Sequence, residues 1–434
     1  MKFTRTVLAV SCLAAVAAHA DQGSFDVRSA YMGGTGVAGQ RADAGIPLNP
    51  ANLALPGDHE KFGLTIPVIS GGYADPGDLR GDINTVQNDD LNQISNDINQ
   101  LKGAPTASLE VPNGPYSGYM KDLGNLSSQL SNTLTSASSN QALINAGLGA
   151  GLVMPSKSLA VGVDLKVSAD IVGSPHASSQ DLSLLQAMNT VFSKGYVTEI
   201  DKLRYPQLFN TGGLTPSNYN STSTATIVGL VTAEEGVSLA HQFEMAGPDQ
   251  GLAIGITPKV VELRTYDYTQ VLSSANGFST SDLKHFETST SMLNFDAGVT
   301  WQADANWRAG TVITNAISKT LTTYSGRQVS LDPKVTSGLS YRASSFSWSL
   351  DADLTKQQDL GFNTDSQIVA TGVEYNLYNH LRFGVGYRHN LVDSAIRDSA
   401  TAGISTNLLG LNTGIAIQGN HSGVSGAFQV SLEY

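Results

Sequence analysis

Leu159-Ala160-Val161-Gly162-Val163-Asp164-Leu165-Lys166-Val167-Ser168-Ala169-Asp170 alternates without a break: odd positions are apolar, and even positions are Ala, Gly, Asp, Lys, Ser and Asp. Side chains of a strand point to opposite faces with period two, so this stretch offers one apolar face and one polar face. Phe346, Trp348, Leu350, Ala352 and Leu354 alternate in the same way with Ser347, Ser349, Asp351, Asp353 and Thr355. Leu381, Phe383, Val385 and Tyr387 alternate with Arg382, Gly384, Gly386 and Arg388. Further segments lie near 61–72, 226–243, 251–268, 291–301, 307–317, 335–342, 368–376, 401–408, 412–418 and 424–434, separated by Gly, Asn, Ser and Pro clusters. The chain therefore reads as all-β, with roughly fourteen strands.

One apolar face is what a soluble sandwich needs, and equally what a membrane barrel needs. Three features favour the barrel. The segments run to about ten residues, the length that crosses a bilayer as a tilted strand, where ordinary strands have five or six. Trp301, Trp307, Tyr341, Tyr375 and Tyr387 sit near segment ends, where an aromatic girdle lies. The chain ends on a strand whose Phe428, Val430, Leu432 and Tyr434 share one face, and a terminal strand ending in an aromatic resembles an outer-membrane assembly signal. The expected fold is a roughly 14-stranded antiparallel transmembrane β-barrel.

Composition removes several alternatives. Charged residues make up 14% of the 434 residues and the formal net charge is −12, which gives no electrostatic grip on nucleic acid. No apolar run after residue 20 approaches the ~20 residues of a spanning helix. Lys2 and Arg5 precede the apolar stretch 7–18, and Ala18-His19-Ala20 is a small-x-small exit, so residues 1–20 read as a cleaved signal peptide with the mature chain starting at Asp21. The single cysteine, Cys12, falls inside that segment, which leaves the mature chain without disulfides, thiol nucleophiles or thiolate metal sites.

Two regions break the alternation. Between 82 and 146, Ile83, Val86, Ile94, Ile98 and Leu101, then Leu123, Leu126, Leu130 and Leu134, keep helical spacing, as in a helical hairpin inserted between strands. The long polar connection 173–224 holds a third helical pattern at Leu182, Leu185, Met188 and Phe192. No catalytic constellation is present. Gly34-Thr35-Gly36-Val37-Ala38-Gly39 matches a dinucleotide fingerprint in letters, but no parallel βαβ unit surrounds it, so it reads as a compact turn. The mature histidines lack metal-ligand spacing, and Asp351 with Asp353 are two residues on one strand face. No enzyme activity, metal or cofactor is expected.

Tyr31-Met32-Gly33-Gly34-Thr35-Gly36-Val37-Ala38, followed by Asn49-Pro50-Ala51-Asn52-Leu53-Ala54, resembles the N-terminal hallmark of the FadL-type long-chain fatty acid transporter superfamily. Gly251-Leu-Ala-Ile-Gly-Ile-Thr-Pro258-Lys259-Val-Val with Thr265-Tyr266-Asp267-Tyr268 is more closely similar to its exported TraF-type branch, the conjugal transfer protein TraF family. The resemblance implies an N-terminal lumen plug at 21–55, with Gly33, Gly34, Gly36, Asn49, Pro50 and Ala51 as its motif, inside a barrel formed by 56–434. It also implies an outer-membrane location and hydrophobic small molecules as passive cargo; the alternative is a component of a conjugation or secretion apparatus. The other expected partners are membrane lipid and the barrel assembly machinery, recognising Phe428, Val430, Leu432 and Tyr434. Within 251–263, Leu252, Ile254 and Ile256 share one face while Val261 and Leu263 fall on the other, so a strand break is expected at Pro258 and Lys259.

Overall fold

The computed structural model describes residues 25–57, 60–85, 91–102, 104–210, 213–214, 221–247, 249–271, 284–357, 365–377, 380–392 and 398–433. Fourteen strands close into one barrel. In chain order they are β1 Gly63–Ala74, β2 Ala142–Met154, β3 Ala160–His176, β4 Thr224–Glu244, β5 Gly251–Val271, β6 Glu287–Gln302 and β7 Trp307–Thr314. They continue as β8 Lys334–Arg342, β9 Phe346–Asp353, β10 Ile368–Leu377, β11 Leu381–Asn390, β12 Asp398–Leu408, β13 Leu411–Gly419 and β14 Gly423–Glu433. Each strand pairs antiparallel with its chain neighbours, and β1 closes the ring on β14.

The alternation read from the sequence sets which face is which. Val163, Ile254, Leu293, Val385 and Ile417 point outward and are exposed, forming the apolar band that lipid covers. Asp164, Lys259, Asp296, Asp351 and Arg382 on the opposite faces are buried in the lumen. Short turns such as 155–159, 303–306 and 343–345 gather at the end where both the plug segment and the C-terminal strand lie, and the long connections gather at the other. In barrels of this type the short-turn end is periplasmic and the long-loop end is outside. Trp307 meets Tyr341 at a tilt, 5.0 Å between centroids, and Trp348 edge-to-face at 6.2 Å, an aromatic girdle near the short-turn end.

The wall is uneven. Strands β4 and β5 have 21 residues each, whereas β7 and β9 have 8. At about 3.3 Å per residue a 21-residue strand runs to about 70 Å, roughly twice what a tilted bilayer crossing needs. The side from β3 to β6 therefore projects beyond the membrane. Against it stand two interlocked loops. Helices α2 Leu79–Thr85, α3 Leu91–Lys102, α4 Thr106–Leu109 and α5 Ser117–Ser139 follow β1, while α6 Ser179–Phe192 and α7 Glu199–Arg204 follow β3. Leu101, Met120, Leu123, Leu130, Met188, Val191 and Phe192 form one buried cluster, so α5 packs on α6 from the other loop as well as on α3. The apolar stripes at 94–134 and 182–192 are thus two halves of one small core. Residues 142–146, placed by their sequence in the insert, belong instead to β2, whose inward Leu143 and Asn145 pair across from Ala74 and Gly72 of β1.

The expected break at Pro258 is found on one side only, in the pairing with β4, and no bulge or register shift accompanies it. Pairing of β5 with β6 runs in one register from Gly251–Gln302 through Pro258–Phe295 to Tyr266–Glu287. The register with β4 is the same before and after Pro258, and only the bridges around Thr257 and Pro258 are missing, as a residue without an N–H dictates. Odd residues face the lumen along most of β5, so Val261 and Leu263 are simply inward apolar residues, and the lumen supplies them with an apolar partner. The face switch lies in β1, where Thr65 pairs with Ser431 but Val68 with Gln429, one extra residue that shifts the register against both β14 and β2. Odd residues face inward up to Thr65, and even ones from Val68 onward.

Candidate functional site

Residues 25–57 run inside the barrel, and the residues expected to form the plug motif are all contact points with its wall. Helix α1, Val27–Tyr31, is capped by Asp26 and packs on β12 and β13. Gly33 has φ +79°, a left-handed conformation that favours glycine, and its N–H donates to Thr401 Oγ1 at 3.0 Å. Gly34 lies beside the Arg388 guanidinium. The N–H groups of Gly36 and Val37 both donate to Asp351 Oδ2, at 2.7 and 2.9 Å. Sequence spacing made Asp351 a lumen polar residue; its role as the acceptor that latches the plug needed the fold.

The Asn49-Pro50-Ala51 box caps a short 3-10 helix, Pro50–Ala54, in which proline takes the first position where no N–H is needed. Asn49 Oδ1 accepts from Ala51 N at 3.0 Å, while its Nδ2 donates to Val37 O at 2.9 Å and Thr300 Oγ1 at 3.1 Å. Ala51 is fully buried, and a Cβ on Gly255 of β5 would stand 2.5 Å from its amide nitrogen. Leu53, Ala54 and Leu55 complete the seal against Val153, Ala160, Ala240 and Ala253.

Below this seal the plug is held by ions. Arg28 Nε reaches Glu374 at 3.0 Å, Arg41 Nη2 reaches Asp43 at 2.7 Å, and Arg342 Nη1 reaches Glu60 at 3.3 Å. Burial on its own would raise the Glu60 carboxyl, but the guanidiniums of Arg342, Arg41 and Arg308 hold it down to about 2. Burial raises Asp43 to about 6, with Arg41 opposing and Glu60 and Glu433 adding to the rise.

Above the plug lies a chamber of about 280 Å³. Its floor includes Gly33, Val37 and Leu48 of the plug, and its upper wall includes Val329 and Leu331 of a hairpin between β7 and β8. A belt of ion pairs crosses its side: Glu234 Oε2 accepts from Lys259 Nζ at 3.0 Å and Lys166 Nζ at 3.1 Å, and Lys259 also meets Asp296 at 2.8 Å. Lys334 pairs with Asp353 at 3.1 Å between the neighbouring strands β8 and β9 of the chamber wall. Buried charges that are paired in this way avoid the cost of an isolated ion, and they leave apolar surface at Phe25, Ile46 and Leu230 facing the same space. Lys259 is thus a wall cation rather than a break in pairing. Glu234 and Asp296 escaped the sequence reading, although both occupy inward positions of alternating strands.

Phe428 and Leu432 point outward and are exposed, with Val430 on the same side; Tyr434 lies outside the described residues, as do residues 1–20. Among the described residues no group of three or more His, Cys, Asp or Glu side chains could hold a metal ion, and no helix is long and apolar enough to cross a membrane.

A family model described as F plasmid transfer operon, TraF, protein matches residues 47–353. Among solved structures, the Pseudomonas putida toluene transporter TodX is 12% identical, with 96% of this chain and 100% of that chain covered at a TM-score of 0.48. The CymD monoaromatic hydrocarbon channel is 11% identical, with 94% and 97% covered at 0.39. A Pseudomonas aeruginosa FadL homologue is 10% identical, with 96% and 100% covered at 0.37. No curated protein matches the chain.

Proposed function

The chain belongs to the family described as F plasmid transfer operon, TraF, protein, and from that premise we propose that it is a passive outer-membrane channel, closed at rest by its own N-terminal segment, for small solutes with an apolar body. The observation that carries this reading is the chamber between plug and hairpin. Between plug and hairpin the lumen keeps a space of about 280 Å³, the kind of concave, partly apolar pocket that takes a small molecule. Apolar side chains such as Phe25, Ile46 and Val329 offer the body of a solute contact, and the belt around Lys259 is already neutralised and needs no counter-ion from it. Passage depends on movement of the plug, because Leu53, Ala54 and Leu55 seal the periplasmic side.

Single-channel recording tests it. The intact protein in a planar bilayer should show small, infrequent openings, and a variant lacking residues 25–55 behind the intact signal segment should conduct several-fold more. Equal conductance of the two overturns the channel reading. In cells, a deletion strain should take up hydrophobic solutes more slowly than its parent. The family's plasmid-transfer description supports a second reading, an envelope component of a conjugative apparatus; loss of plasmid transfer in the deletion strain without an uptake defect would favour it.

A further inference from the structure

We propose that the hairpin formed by Lys319–Thr322 and Gln328–Leu331 is the cover on the outer mouth of the chamber, and that Asp267 is the residue that holds it shut. The reason starts with how the hairpin is attached. Its two strands pair only with each other, as a sheet separate from the barrel, so no backbone ladder ties the hairpin along the wall. Its base is fixed. Asn315 N donates to Asp296 Oδ1 at 2.8 Å, Ile317 N donates to Asn294 Oδ1 at 2.9 Å, and Ala316 N donates to Phe295 O at 3.0 Å.

Its far end is held by one carboxylate and by an edge-to-face contact of Tyr324 with Phe286, 5.0 Å between centroids. Asp267, on the inner face of β5, is almost wholly buried, and its Oδ2 accepts from Thr323 Oγ1 at 2.6 Å and from Ser325 Oγ, with Arg327 Nε 3.4 Å away. Between the two ends lie only side-chain contacts. Leu321 packs on Val261 and Leu263, and Val329 on Val172. An apolar contact of this size slides off without breaking backbone hydrogen bonds, so a segment fixed at its base and latched at its tip swings as a unit. The base also touches the chamber: Asp296, which receives Asn315 N, is an ion-pair partner of Lys259. A solute that disturbs Lys259 therefore disturbs the hinge.

The purpose of the cover rests on the channel reading, but its geometry can be tested without transport. The mature chain has no cysteine, so Ser168→Cys places a single thiol in the chamber wall. A small, charged methanethiosulfonate added to intact cells reaches it past the hairpin, because the plug closes the periplasmic side. Adding Asp267→Ala should speed labelling about tenfold or more, as loss of hydrogen bonds to a charged acceptor implies. Asp267→Asn, which keeps one carbonyl acceptor, should give an intermediate rate, and heat-modifiable migration confirms that each barrel is folded. Separately, Asp267→Cys with Ser325→Cys should lose solute flux in liposomes when oxidised and regain it with dithiothreitol. Labelling unchanged by Asp267→Ala, or a measurable flux that is indifferent to the disulfide, overturns the cover. Faster labelling with no flux in any variant supports the cover and overturns the channel reading instead.

Discussion

The lumen is closed twice, by different physics. At the periplasmic end, the plug meets the wall through backbone and buried ions: Asp351 holds two amides, Asn49 reaches Thr300, Arg28 pairs with Glu374, Arg41 with Glu433, and Arg342 donates to Gly39 O. At the outer end, the hairpin meets the wall through apolar contacts, an edge-to-face contact of Tyr324 with Phe286, and a single carboxylate latch. Close backbone approach leaves no slack, because a packed main chain cannot shift without losing hydrogen bonds, whereas an apolar contact gives way by degrees. The difference teaches that occluding a lumen and gating it are separate tasks, the first needing glycine at the wall and the second needing a segment outside the ladder.

The largest expected effect is on the plug. A side chain at Gly386 would occupy the space of the Gly33 amide, so Gly386→Leu should expel the glycine run at a cost of about 3 kcal/mol or more. Limited proteolysis in detergent should then trim residues 25–55 from a barrel that stays heat-modifiable. A plug that remains protected in this variant would break the distinction between the two closures.

Next comes Asp351→Ala, which leaves the Gly36 and Val37 amides without an acceptor and should weaken docking by about 2–3 kcal/mol. Hydrogen exchange at those two amides should accelerate while the hairpin exchanges as before. Coupled acceleration of both regions would show one cooperative unit rather than two.

Val329→Ala sharpens the comparison from the other side. It removes buried apolar contact with Val172 and should loosen the hairpin by about 1–2 kcal/mol. Exchange should rise in 319–331 and stay level in the plug; faster exchange at Gly36 would refute the separation.

The smallest effect is a pH dependence confined to the plug. Asp43 binds its proton more tightly in place, with its value raised from 3.8 to about 6, so docking weakens as pH rises through that interval and is level above it. Glu60 acts oppositely, contributing docking strength that is lost only as pH falls from 4.5 toward 2. Protease protection of the plug should therefore fall between pH 4 and pH 7, and Asp43→Asn should flatten that slope. A slope that survives the substitution places its origin elsewhere.

Much of this architecture is legible in the residues. Period-two alternation at 159–170, 346–355 and 381–388 requires two solvents, and it assigns Asp164, Asp351 and Arg382 to the lumen without any structure. The glycine run at 33–39 and the Asn49-Pro50-Ala51 box mark a chain that must come close to something, since glycine removes bulk and proline fixes a turn. Other features depended on which strands stand opposite. The switch of apolar face along 252–263 suggested a bulge, yet Val261 and Leu263 are inward residues covered by Leu321, some sixty positions later in the chain. The real bulge lies between Thr65 and Val68, in a strand whose weak alternation hides it. Likewise Lys166, Glu234, Lys259 and Asp296 are single charges on four strands until the register of β3 to β6 sets them side by side as one belt. Local periodicity is written in each segment because the choice between lipid and lumen is made residue by residue. Which lumen residue meets which is decided only by strand register and by the segments folded into the lumen, because these bring together side chains that no local spacing relates.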